Sequence, residues 1–335
     1  MNVRDELVMR CALRRREKIG GLSDQGFQEL LLAVGQRPED FVDSPEEAAL
    51  LEVGRALDAY ATSLREDDVR DDDEYQQERR RRLAALNAAC GHALQTDPDC
   101  TDAQVIAAIA AEPGQDQLLS QLMGILRDGG DRLAVPGDNG KKGGPAGSGA
   151  KESGAWADVF ARPALRLRFA IANACLASQR YRLCTKTCLE LLDIMPADEL
   201  GAGKTCAIAY ARLEDEAGFD ALDERQGRVG NTWTHLSRAI LLYKLDRMPA
   251  ARRALRGYGS LCEGAAYALL RPVYVEPYLP DRPTVRQASY EEAMLCIHEA
   301  EAVLTDVPDF FEWAAQLPGF QDAAQAFADE QGLDW

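Results

Sequence analysis

The tract Gly201-Ala202-Gly203-Lys204-Thr205 carries the closing letters of a phosphate-binding loop, in which backbone N–H groups and a lysine grip phosphate. The full pattern needs a glycine five residues before Gly203, and Asp198 stands there. A carboxylate at that place repels phosphate, and helix precedes the tract where the loop needs a strand. The tract reads as a turn between helices. Cys175, Cys184, Cys188 and Cys206 invite a zinc reading, and Cys184 and Cys188 lie one helical turn apart. All four occupy positions where small apolar side chains pack, so core thiols are expected. His235 and His298 have no Cys or His at ligand spacing, and His92 has only Cys90.

Residues 66–74 read EDDVRDDDE, seven acids in nine residues. Dense carboxylates can hold Ca²⁺ or Mg²⁺, yet the alternating ligands, central Gly and terminal Glu of an EF-hand loop are missing. Acids at a helix start favour its dipole, and Glu74 or Glu78 can pair with Arg82 along that helix. A solvated, charged helix is the expectation. No Ser/His/Asp or Cys/His spacing supports nucleophilic catalysis, and no cofactor or metal site is expected.

The elements that must position these residues are helices. Apolar residues recur at helical spacing, as in Leu165, Phe169, Ala172 and Leu176. Ser44-Pro45-Glu46-Glu47, Thr101-Asp102-Ala103-Gln104 and Ser289-Tyr290-Glu291-Glu292 read as capping boxes. Alternating β-branched runs are nearly absent, so the chain reads as all-α. Residues 271–283 are the exception, with Pro272, Pro277, Pro280 and Pro283 among Val273, Tyr274, Val275, Tyr278 and Leu279. Prolines at that density exclude a helix, and the apolar residues predict an extended strap packed on the helices of the second half.

A repeat period near that of a tetratricopeptide hairpin fits the second half. Anchored on Pro196, it puts Ile171, Ala172 and Cys175 at the packing sites of a first helix, and Tyr181, Cys184, Cys188 and Leu191 on a second. Residues 93–98 read as the end of another repeat. A looser copy runs through Trp233, Leu236, Ile240, Ala251 and Leu255. Taken in order, several short motifs carry a resemblance: Asp97-Pro98-Asp99-Cys100-x-Asp102-Ala103, Trp156…Arg162-Pro163-x-Leu165-Arg166 and Leu191-Leu192-x-x-Met195-Pro196-Ala197-Asp198. They are followed by Ala250-Ala251-Arg252-Arg253-Ala254-Leu255, the strap, and Asp309…Glu312-Trp313. Over roughly residues 75–315 the chain resembles bacterial tetratricopeptide-like proteins related to the suppressor of tumorigenicity 7 family. The resemblance implies a helical-hairpin superhelix (an α-α solenoid) and an interaction role, with no catalytic residues. The sequence departs from that pattern at Met195-Pro196-Ala197-Asp198 and in the Gly-rich tract.

Four segments are expected: an acidic helical region with a degenerate repeat (1–128), a flexible Gly-rich linker (129–154), a tetratricopeptide-like domain (155–317) with its strap, and a capping helix (318–335). The linker holds 9 of the 27 glycines and cannot bury apolar surface. The capping helix would show Phe320, Ala323, Ala324 and Phe327 on one face.

The 335 residues carry 38 basic and 55 acidic side chains, a net charge of −17 shared by both halves, which argues against a nucleic-acid partner. The longest apolar run, residues 105–111, is too short to span a bilayer, and residues 1–20 do not read as an export signal. Nine cysteines without a compact framework suit reduced thiols in the cytoplasm.

The first helices of stacked hairpins would line a groove showing Arg166, Phe169, Asn173, Lys204, Thr234, His235 and Arg238. Basic and amide groups in such a groove suit an acidic or C-terminal peptide. The expected function is a non-catalytic protein- or peptide-binding scaffold. A self-associating structural subunit, and then a metal-dependent enzyme using residues 66–74, are the alternatives.

Overall fold

The computed structural model describes residues 3–69, 71–135, 154–273, 275–276 and 279–335. Among these residues there is no strand, and the chain is all-α. It divides into two compact units. The first comprises Met1–Ala170, Ile194–Glu199 and Leu279–Asp281. The second comprises Ile171–Asp193, Leu200–Tyr278 and Arg282–Trp335. The division thus falls inside a helix at Ala170/Ile171 and not at the Gly-rich tract.

In the first unit, α1 (Val3–Ile19) packs on α2 (Asp24–Gln36) and α3 (Pro45–Ser63). The chain then pairs α3 with α4 (Asp72–Thr96), α4 with α5 (Thr101–Ala110), and α5 with α6 (Gln115–Gly129). Leu83, Leu86, Cys90 and Ala93 of α4 form a core with Val53 and Tyr60 of α3 and Ile106 of α5. A second cluster joins Leu7, Cys11 and Ala12 of α1 to Val34 and Leu50. Local chemistry sets the helix starts. Ser44 Oγ accepts the Glu47 N–H at 3.2 Å, and Pro45 occupies the first turn, where its missing N–H costs nothing. The Glu47 carboxylate reaches the Asp43 N–H rather than that of the cap. Asp71 caps α4 through the Glu74 N–H at 2.9 Å. The expected box at Thr101 does not form: Cys100 is the cap residue, without a side-chain bond, and Asp102 is buried.

Of the tract read as a linker, residues 129–135 are packed. Gly129 is the last residue of α6, and Leu133 and Val135 are each 4% exposed. A Cβ on Gly129 would collide with the Leu133 side chain. The remainder of the tract up to residue 153 lies outside the described residues. Helix α7 (Arg162–Ala177) follows.

The second unit holds α8 (Tyr181–Ile194), α9 (Ala202–Leu213), α10 (Glu216–Arg225), α11 (Thr232–Lys244), α12 (Met248–Leu261) and α13 (Ala265–Leu270). These lead into α14 (Tyr290–Glu299), α15 (Glu301–Leu304), α16 (Asp309–Ala315) and α17 (Phe320–Gln331). One turn recurs. Gln179, Glu214 and Asp246 end α7, α9 and α11 in the left-handed region, at φ 63°, 57° and 56°. In each case the next residue donates back to a carbonyl five positions earlier: Arg180 to Cys175, Asp215 to Tyr210 and Arg247 to Leu242. This is the Schellman closure, which satisfies orphan carbonyls and reverses the chain. A buried residue stands five positions after each left-handed residue, Cys184 in α8, Phe219 in α10 and Ala251 in α12, with a second one helical turn on at Cys188, Leu222 and Leu255.

The described residues of the strap after Arg271 are non-helical, and one of them, Leu279, joins the first unit's core. Tyr274, Pro277 and Tyr278 lie outside the described residues. At the chain end, Phe320, Ala324, Phe327 and Ala328 of α17 are buried, whereas Ala323 faces solvent. The Phe327 ring fits against Gly264, where a Cβ would stand 2.6 Å from it and where φ is +64°.

Candidate functional site

The best-built polar site of the second unit is a cradle around one guanidinium. Gly201, at the N-cap of α9, has φ +75°, and a Cβ there would collide with Arg282 Nη1. The turn is therefore open for Arg282, the penultimate residue of the strap. Its Nη1 donates to the carbonyls of Leu200 and Gly201 at 2.8 and 2.7 Å, and its Nη2 to Thr205 Oγ1 at 2.9 Å. Nε and Nη2 meet the two Glu299 oxygens at 2.8 and 3.0 Å. All five N–H donors of the guanidinium thus have acceptors. Glu299, the last residue of α14, also accepts the Trp233 indole N–H at 2.6 Å. Lys204 Nζ lies 3.9 Å from the centroid of the Trp233 ring. Thr205 passes the network on by donating to Asn173 Oδ1 at 3.0 Å. The tract that resembled a phosphate loop holds a cation, using carbonyls and a hydroxyl as acceptors.

Of the seven residues expected in a groove, Asn173 and Lys204 border this cradle, both half-buried. Thr234 is 4% exposed and closes a capping box with Asn231 at the start of α11. His235 is half-buried against Gly230 and Gly257, and burial, aided by Arg238, lowers its pKa. Arg238 is engaged by Asp220 and Asp223, each at 3.0 Å, and lies over the Phe219 ring.

Arg166 and Phe169 are corrections. They belong to the first unit, and at 1% and 0% exposure they offer nothing to an open groove. Helix α7 is buried on nearly every side there, so an arginine on it must bring its counter-charges inside. Arg166 is bidentate to two carboxylates. It reaches Asp102 at 2.8 and 2.6 Å, and Glu6 at 2.8 and 3.0 Å. Arg10 joins through Glu6 at 2.7 Å, and Asp281 of the strap approaches Arg166 at 3.9 Å. Burial alone would raise the Glu6 carboxyl, but Arg166, with Arg10, outweighs it and holds it below its ordinary value. Arg10 and Asp102 also line a cavity of about 340 Å³ with Glu46, Asp99, Arg132 and Phe160. Most of its charged groups already pair: Glu46 with Arg10 and Arg14, Asp99 with Arg132, and Asp102 with Arg166.

In the acidic run, Asp67 pairs with Arg82 at 2.6 Å, and Glu78 with Arg81, in place of the expected partners of Arg82. The side chains of Glu66, Asp68 and Arg70 lie outside the described residues. All nine cysteines are buried and unbridged. Burial pushes the Cys11, Cys90 and Cys100 thiols up to about 12, and Cys175 to about 11. Such thiols do not supply thiolate nucleophiles near neutral pH. Among the described residues, no three His, Cys, Asp or Glu side chains are grouped to hold a metal ion.

Sequence reasoning missed Arg282, Glu299, Glu6 and Asp102. An arginine among the apolar residues Leu165, Leu167 and Phe169 was the available signal for Arg166, but its partners stand 160 and 64 residues away. No family model matches the chain, and neither a curated protein nor a solved structure is significantly similar to it.

Proposed function

We propose that the chain is a non-catalytic helical-hairpin scaffold of the tetratricopeptide-like class, binding a protein or peptide. The observation that carries this reading is the recurrent Schellman turn at Gln179, Glu214 and Asp246, with a buried residue five positions after each. Side chains tie successive hairpins at the same interval: Thr205 to Asn173, Arg225 to Asp193 and Lys244 to the Arg212 carbonyl, each 32 residues apart. Arrays of this kind present a continuous surface built from equivalent helices, suited to an extended or helical partner. The partner chemistry we favour is an acidic or C-terminal segment, and the family we favour is the tetratricopeptide-like one related to the suppressor of tumorigenicity 7 family. Nine unbridged, buried thiols support a reducing compartment, the cytoplasm. No helix among the described residues is long and apolar enough to cross a membrane.

A second reading, a structural subunit that associates mainly with itself, draws support from the cradle. There the chain's own Arg282 occupies acceptors beside Asn173 and Lys204. Affinity capture of the tagged full chain from its own cells separates the two. The scaffold reading expects a different protein at stoichiometric yield, and recovery of the chain with copies of itself alone favours the structural subunit.

A further inference from the structure

Seven of the thirteen arginines of the second unit have carboxylate partners: Arg212 with Asp306, Arg225 with Asp193, Arg228 with Glu224, Arg238 with Asp220 and Asp223, Arg247 with Glu216, Arg282 with Glu299, and Arg286 with Glu263. Helix α12 gathers three of the other six. Its sequence, MPAARRALRGYGSL, contains no acid. Ala251, Ala254, Leu255 and Tyr258 form its buried face, while Arg252, Arg253 and Arg256 are exposed. None of the three makes a side-chain hydrogen bond or ion pair with a described residue. At helical spacing they fall within an arc of about 100°. Like charges three and four residues apart destabilise a helix slightly, so the arrangement contributes nothing to the fold.

We propose that this arginine face of α12 docks an acidic protein segment. The inference rests on the scaffold reading and names the surface and charge of its partner. Guanidinium groups bind carboxylates bidentately, and three on one face match carboxylates presented along a short peptide. The surrounding chain, at −17, repels an extended polyanion at long range, which favours a compact acidic segment over nucleic acid. Arg238, which the sequence placed on the inner face, is engaged within the fold by Asp220 and Asp223, whereas α12 presents three exposed arginines together.

The test is fluorescence anisotropy with the full chain and three probes: a labelled Glu-rich peptide, its Gln counterpart, and a single-stranded oligonucleotide. The expected result is binding of the Glu-rich peptide alone, weakened about ten-fold or more by R252E/R253E/R256E and by added salt. R252Q/R253Q/R256Q should weaken it less, and both variants should melt like the wild type. Equal binding by wild type and charge-reversed chain overturns the proposal, as does no peptide binding or preference for the oligonucleotide. A cellular partner still captured by the charge-reversed chain would leave the scaffold reading standing and remove only this surface.

Discussion

Each unit encloses an arginine side chain in a network of acceptors, Arg166 in the first and Arg282 in the second, and these two are satisfied differently. In the first, Arg166 is held by two carboxylates, Glu6 and Asp102, from helices distant in sequence, with Arg10 sharing Glu6. In the second, Arg282 takes one carboxylate, Glu299, and fills its other donors with the Leu200 and Gly201 carbonyls and the Thr205 hydroxyl. The first depends on charge and the second on shape, since the cradle exists only because Gly201 lacks a side chain. Perturbing charge should therefore damage the first unit most, and perturbing shape the second.

The largest effect is expected from R166L. It leaves Asp102 buried without its counter-charge and Glu6 with Arg10 alone, which costs about 3–5 kcal/mol. A urea melt should show loss of the first unit, or no folded protein. R282M removes the partner of a single carboxylate that Trp233 still contacts. Its midpoint in the same melt should fall less than that of R166L. The reverse order would break the comparison.

Next comes G201A, which places a Cβ against Arg282 at a backbone conformation that L side chains rarely adopt. The cost should be about 1–3 kcal/mol, read as a lower thermal midpoint. If G201A were silent in the wild type, the cradle would not depend on shape.

Acid should act on the first unit. The Glu6 carboxyl is held below its unfolded value, so its stabilisation is complete above the unfolded pKa, about 4.3. That stabilisation is lost as pH falls through the folded value. Circular dichroism during acid titration should show a steep loss below about pH 4.3 in the wild type. E6Q should be less stable at neutral pH and show a shallower acid limb. An acid limb unchanged in E6Q would remove Glu6 from the linkage.

The smallest effect belongs to R252Q/R253Q/R256Q. With no internal partners described, the midpoint should move by no more than about 0.5 kcal/mol in equilibrium melts.

The helices were legible because their signals are local. Ser44 and Ser289 cap where their spacing to Glu47 and Glu292 predicts, and the buried thiols follow the packing period. What was not legible depends on encounters between distant residues. Asp102 looks like the second residue of a capping box until the fold brings it to Arg166. The GAGKT tract looks like an anion loop because backbone N–H and C=O groups leave no trace in the letters. Only the fold shows that carbonyls face inward to a cation. Arg166 was misplaced because α7 is buried nearly all round, and a helical period cannot identify an exposed face where little is exposed. The first residues of the Gly-rich tract were misassigned because composition outweighed Leu133 and Val135, which anchor them.

The most direct test of the account is the native mass of the full chain captured from its own cells under mild salt. A scaffold predicts a defined complex with a different protein chain, recovered at a stoichiometric ratio. A mass matching the chain alone, or only multiples of it, would contradict the account.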